Sequence, residues 1–220
     1  MTRLLYFAFL FLILSSCKDD DMMDPPMEEP PTVNFTDTLR FASYNVGMFG
    51  SFEGQIAEQM NNANQFTRYK RIAAVIQKVR PDVLVLMEFD YDSTGASLQK
   101  FNDNLLSVSQ DGDDTLSYRY MYQIVSNTGQ LSQVDIDGNG TVSLPADAFG
   151  FGNFSGQYAS AILSNYPLDI ENARSFQKFL WKDMPDASLP QNPDGSSYYS
   201  DDALDVFRLS SKNHIDLPVI

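Results

Sequence analysis

The chain has one cysteine, Cys17, one histidine, His214, and one tryptophan. With no second cysteine there is no intramolecular disulfide framework. Basic residues are also scarce: 15 Lys and Arg stand against 29 Asp and Glu, a formal net charge of −14. That deficit disfavours nonspecific nucleic-acid binding, which depends on Lys and Arg neutralising phosphates. A bound divalent ion or a local basic patch can offset the global sign. Arg119, Arg208 and Lys212 are the bases considered for such a patch, with solvated surface charge as the plain alternative for each. No internal repeat is visible. The apolar stretch from Leu4 to Leu14 is too short to span a bilayer comfortably. What the chain does have is 43% hydrophobic and 13% aromatic residues, ample for one core.

Arg3, the apolar stretch and then Leu14-Ser15-Ser16-Cys17 resemble the start and lipobox of a bacterial lipoprotein. The resemblance implies a signal peptide over 1–16, lipidation of Cys17 and anchoring in the outer membrane, on its periplasmic or cell-surface face. Ordinary cleavage with Cys17 incidental is the alternative. Lys18-Asp19-Asp20-Asp21 resembles an acidic tag that directs lipoproteins to the outer face. Residues 17–36 are acidic and proline-rich with little apolar surface to bury, so they are expected to form a disordered tether. One globular domain is expected over 37–220.

Within it, Leu39 to Asn45 has the apolar and aromatic types of a largely buried strand, closed by a poor strand former. Val83-Leu84-Val85-Leu86-Met87 is a continuous apolar run opened by the turn signal Pro81-Asp82, and predicts a strand buried on both faces. Between them Ile72, Val75, Ile76 and Val79 recur at helical spacing, while Arg68, Lys70, Arg71, Gln77, Lys78 and Arg80 form a wet face. Thr67 is the expected N-cap and Pro81 blocks continuation. Strand, helix and strand make a crossover unit that brings Asn45 and Glu88 together at strand ends. A carboxylate there is costly to bury without a metal or a cation.

Phe-Ala-Ser-Tyr-Asn-Val around Asn45, the Arg-Ile helix, and Pro-Asp-Val-Leu-Val-Leu-Met-Glu ending at Glu88 resemble the opening half of the endonuclease/exonuclease/phosphatase superfamily. The glycine-rich approach from Phe151 into Ala161-Ile162-Leu163-Ser164-Asn165-Tyr166-Pro167 is similar to its central strand. The segments Phe176–Met184 and Arg208–Val219 resemble a secreted bacterial branch. The resemblance implies an α+β fold, a four-layer α/β/β/α sandwich, with Glu88 binding Mg2+ or Mn2+ and Asn45 positioning the phosphate. It implies hydrolysis of a phosphoester, with a small substrate favoured over nucleic acid by the net charge. The family's later strand ending in His, its Gly-Asp-x-Asn segment and its Ser-Asp-His segment do not occur here. The chain is therefore expected to stop before the C-terminal half, to leave an open edge at Asp216-Leu217-Pro218-Val219-Ile220 and to be inactive alone. His214 is a catalytic candidate on the phosphate side of the cleft, with a surface histidine as the alternative. A non-catalytic surface lipoprotein, a degenerate binding module keeping half of the fold, is the alternative function.

Asp135, Asp137, Asn139 and Thr141 place oxygen side chains at alternate positions around Gly140, as in the first nine positions of a calcium loop. The twelfth position is Ala146, with Asp147 one place late. Both a Ca2+ loop and a solvated turn fit.

Overall fold

The computed structural model describes residues 38–220, so the expected leader at 1–16, Cys17 and the tether at 17–36 lie outside the described residues. The first unit is β1 (Phe41–Met48), α1 (Gln55–Met60), α2 (Thr67–Val79) and β2 (Val83–Phe89), with β1 and β2 parallel. This is the crossover that the sequence predicts. A short α3 (Ala96–Phe101) runs on as a π-helical turn over Asn102–Leu106, and β3 (Tyr120–Ile124) and β4 (Ser160–Ser164) complete a four-stranded sheet. The strand order is β1-β2-β4-β3, with β4 antiparallel to both of its neighbours. After β4 the chain forms β5 (Arg174–Ser175), α4 (Asp201–Leu204) and β6 (Ile215–Asp216), and β5 pairs antiparallel with β6. The class is α+β, as expected.

Helices α1 to α3 cover one face of the sheet. Leu84 and Leu86 of β2 and Leu163 of β4 enter a core with Ile72, Ile76, Phe89, Phe101 and Leu105. Phe89 and Phe101 meet edge to face at 5.9 Å. Each such side chain, fully buried, contributes about 1.5–3 kcal/mol. On the opposite face Val83, Ile124 and Ile162 form a smaller cluster, against which Leu168, Ile215 and Leu217 pack, so the β5–β6 ribbon lies on that side.

Several local expectations are corrected. β1 is an edge strand: Phe41 is 62% exposed and Asn45 is exposed, because only the helix side is covered. β2 is closed on both faces only at its start, and Met87 is exposed near its end. In α2 the buried stripe is Tyr69, Ile72, Ala73, Ile76 and Gln77, while Val75 and Val79 face outwards. Gln77, assigned to the wet face from sequence, donates through Nε2 to the carbonyls of Leu106 (2.7 Å) and Val108 (2.8 Å) and accepts from the Gln110 amide. Thr67 is the first helical residue rather than the cap, and Phe66 before it makes no side-chain cap bond. The apolar C-terminal run is not an open edge either, since Ile215 pairs with Ser175, Val219 with Leu168, and the Ile220 amide donates to Pro167 O at 2.9 Å.

The segment between β3 and β4 has little regular structure and packs backbone against backbone. Gly129 shows why glycine is needed: its φ is +67°, and a Cβ there would lie 1.8 Å from the Phe154 carbonyl oxygen. The same contact layer is fastened to β2 by Asp90, which is buried. Asp90 accepts from the Gly50 amide through Oδ2 (2.7 Å) and from the Tyr158 amide through Oδ1 (2.9 Å). Gln157 adds a second tie by donating to Gly50 O at 2.8 Å. Burial pushes the Asp90 carboxyl up to about 6, against the opposing pull of the two amides.

Replacing Asp90 by Asn turns one acceptor oxygen into an NH2 group that faces an amide donor. Asp90→Asn is expected to lower stability by about 1–3 kcal/mol at pH 7.5, read as a shift in urea midpoint at unchanged slope. An unchanged midpoint would show that these two bonds do not hold the loops.

Candidate functional site

The end of β2 is distorted where the chemistry is expected. Asn45 pairs with Met87 and Met48 with Phe89, so Val46 and Gly47 of β1 oppose the single residue Glu88. Such a bulge kinks the strand and re-aims side chains. Gly47 takes φ +53° and Glu88 φ +57°. For Glu88, a residue with a Cβ, the left-handed conformation costs about 1–2 kcal/mol. The bulge is held from two sides. The Gly47 amide donates to Asn45 Oδ1 (3.1 Å), and Arg68 of α2 donates to the carbonyls of Val46 and Gly47. Arg68, read from sequence as part of the wet face, thus clamps the strand.

Glu88 is half-buried and lines two hollows. One, of about 360 Å3, has Asn45, Glu88, Ser160, Lys212 and His214 among its walls. The other, of about 280 Å3, shares Glu88, Ser211 and Lys212 with it and adds Thr128, Phe151 and Tyr158. Asn45, Glu88 and His214 therefore border a single cleft, with His214 exposed at its edge. Asn45 keeps its Oδ1 on the Gly47 amide, which leaves its Nδ2 to donate to a ligand.

Lys212 reaches this cleft through contacts remote in sequence. Its carbonyl accepts from the Asn127 amide at 2.9 Å, and the buried Asn127 side chain donates to Ser210 O (2.9 Å) and Gln177 O (2.7 Å). Its Nζ donates to Tyr158 O at 2.7 Å and lies 5.9 Å from the Tyr158 ring centre. Burial holds the Lys212 pKa below the ordinary lysine value, and the nearby Glu88 carboxylate partly offsets this. The three bases considered for a patch do not form one. Arg119 lines a separate hollow, and Arg208 stacks over Phe149 at 4.6 Å and donates to Lys178 O.

That separate hollow is larger than either of these, about 650 Å3, between the loop after β2, α3 and β3. Its carboxylate, Asp92, is engaged with the Thr94 hydroxyl and the Ser97 and Thr94 amides, so it offers less to a ligand than Glu88 does. The Glu88 cleft has the better chemistry despite its smaller size.

A hard divalent cation suits Glu88. Mg2+ keeps several waters and takes one or two carboxylates together with substrate phosphate. The Glu88 carboxylate accepts no hydrogen bond from any described residue, and the kink presents it to the cleft. A second acidic group lies elsewhere. Asp135, Asp137 and Asp147 bring carboxylate oxygens within 4.8 Å of one another, close enough to share one ion. Asp147, one place late for the loop pattern, is fully buried and accepts from the amides of Ile136 (2.7 Å) and Ser143 (2.8 Å). The Ser143 amide, opposed by burial and helped by the Ile136 and Asp137 amides, holds its pKa below the ordinary aspartate value. Asn139 and Thr141 stay exposed, and Asn139 Oδ1 accepts from the Thr141 amide at 2.8 Å.

Sequence reasoning named Asn45, Glu88 and His214, which line one cleft, and did not name Asp90, Asn127 and Gln157, which hold the loops around it. Asp90 carried only one signal, its nearness to Glu88, two residues on and just past the end of β2 at Phe89. Asn127 and Gln157 carried none, because they act through main-chain partners far along the chain.

No curated protein matches the chain. Among solved structures, the endonuclease/exonuclease/phosphatase from Beutenbergia cavernae DSM 12333 is similar at 19% identity and a TM-score of 0.32. The match covers 62% of this chain and 28% of that one, so the chain spans well under two thirds of that protein's length. The profile of the Endonuclease/Exonuclease/phosphatase family matches residues 42–216, from within β1 to the end of β6 and across every wall of the Glu88 cleft. The chain belongs to that family.

Proposed function

We propose that the protein hydrolyses a phosphoester in the Glu88 cleft with the help of a divalent metal ion. The family is one of metal-dependent phosphoester hydrolases. The observation that supports this chemistry here is that Asn45, Glu88 and His214, from three separate parts of the sequence, line one cleft. Glu88 would hold the ion, Mg2+ or Mn2+. When bound, the ion supplies charge stabilisation to the phosphoryl oxygens. Asn45 donates its Nδ2 to a phosphoryl oxygen and so orients the group for attack by water. His214 offers an imidazole nitrogen to the substrate at the cleft edge. A small phosphoester is favoured over nucleic acid, because a chain at −14 has little to offer a polyanion beyond this one cleft.

In the native protein, Glu88→Gln is expected to cut magnesium-dependent hydrolysis of bis(p-nitrophenyl) phosphate by about a hundredfold or more, as for loss of a principal electrostatic group. Its urea midpoint should not fall, since the Glu88 carboxylate accepts no hydrogen bond from a described residue. A wild-type protein that neither turns over substrate nor binds Mg2+ or Mn2+ at Glu88 would favour the non-catalytic binding module instead, since lack of turnover alone also fits the sequence expectation of a chain inactive by itself.

The Asp135–Asp147 loop is proposed to take Ca2+, in a structural role. Calcium at a hundred times its Kd should stabilise the protein by about 2.7 kcal/mol, seen as a rise in thermal midpoint that Asp135→Ala abolishes. No rise in the wild type would assign the loop to a solvated turn.

A further inference from the structure

Lys212 occupies a position that its sequence neighbourhood gives no reason to expect. It follows two serines in a polar stretch, and from sequence it is one of three bases considered for a basic patch, with solvated surface charge as the alternative. The fold instead half-buries it and turns its ammonium into the cleft that Glu88 and Asn45 line. Among the described residues lining the two hollows it is the one Lys or Arg. It forms no ion pair among the described residues, although Glu88 is near enough to act on it electrostatically. Its one hydrogen bond there runs to Tyr158 O, so two of the three ammonium donors are left over.

That anchorage is built in layers. Tyr158 has φ +59° and is kept there by its amide bond to the buried Asp90 carboxylate. The strained turn aims the Tyr158 carbonyl at Lys212. From the other side, the Lys212 main chain is fixed by the Asn127 amide, with Asn127 itself pinned by two carbonyls. A lysine held only to cover apolar surface would keep its charged head in water. Here the residue is half-buried and its head is bonded to the Tyr158 carbonyl, while the nearby Glu88 carboxylate forms no ion pair with it. A partly desolvated cation with free donors next to a metal-binding carboxylate is suited to a ligand that is itself anionic and can bridge the two.

We propose that Lys212 grips the phosphoryl group of the substrate, donating from Nζ to a non-bridging oxygen while Glu88 serves the metal. This rests on the phosphoester function proposed above and adds to it the residue that discriminates an anionic phosphoryl group. It also carries a consequence of opposite sign. With no phosphate present, a cation facing Glu88 works against a second cation there. Removing the Lys212 charge should therefore weaken phosphate and strengthen the metal.

The test is calorimetric titration of the native protein and two variants, Lys212→Met and Lys212→Gln. The Met side chain keeps most of the apolar stem, and Gln keeps a donor for Tyr158 O, so one of the two is available if the other fails to fold. Inorganic phosphate at saturating Mg2+ is expected to bind about ten- to a hundredfold more weakly in the variants, the loss of one charge-assisted hydrogen bond. Mg2+ alone should bind as tightly or more tightly. Phosphate affinity within twofold of wild type in a folded variant would overturn the assignment and leave the phosphoester function standing. Parallel weakening of phosphate and Mg2+ would also overturn it, in favour of a structural lysine. A wild-type protein that binds no phosphate at any Mg2+ concentration would overturn both.

Discussion

The Asp90 carboxylate sits at the end of β2 and collects main-chain amides from two loops that the sheet alone does not hold. Gly50 comes from the loop after β1, and Tyr158 from the approach to β4. Burying a carboxylate is costly, and these two bonds are what make it tolerable. The consequence is geometric. Once Tyr158 is fixed in its left-handed turn, its carbonyl fixes Lys212, and Lys212 faces Glu88 two residues before Asp90. The bulge between β1 and β2 does the complementary task by lifting Glu88 out of the sheet register. Fold and site thus share the same few residues, and strain at Glu88 and Tyr158 is offset by the bonding around them.

What was legible in the sequence was local. The apolar run Val83–Met87, its Pro81-Asp82 entry and the helix before it carry their own periodicity, and the parallel crossover follows from them. The α2 stripe was rotated in prediction because Val75 and Val79 looked interior by type. Gln77 is interior by bonding, and its partners at Leu106, Val108 and Gln110 belong to a segment with no helical pattern to announce it. Burial of a polar residue depends on where its hydrogen bonds are met, and a sequence does not display that.

The site divides the same way. Asn45 and Glu88 follow strand-like runs, so the sequence singles them out. The walls that complete the cleft come from turns, at Thr128, Tyr158 and 210–214, joined by main-chain bonds across long stretches of chain. The glycines at 129, 150 and 152 permit that contact, and composition alone describes them only as loop formers. Lys212 is the clearest instance. By type and neighbours it is a surface base, and by position it is the cation of the cleft.

An acidic protein that works on an anionic group needs its positive charge concentrated in one place. The net charge of −14 disfavours a polyanion, while a metal at Glu88, as proposed, would with the Lys212 ammonium give one small cleft the opposite sign. All of this requires the metal to be at Glu88. A crystal grown with Mn2+ and phosphate, with the ion located by its anomalous scattering, tests this directly. A peak is expected within about 2.5 Å of a Glu88 carboxylate oxygen, with phosphate beside it. Manganese confined to the Asp135–Asp147 loop, with none at Glu88, would contradict this placement.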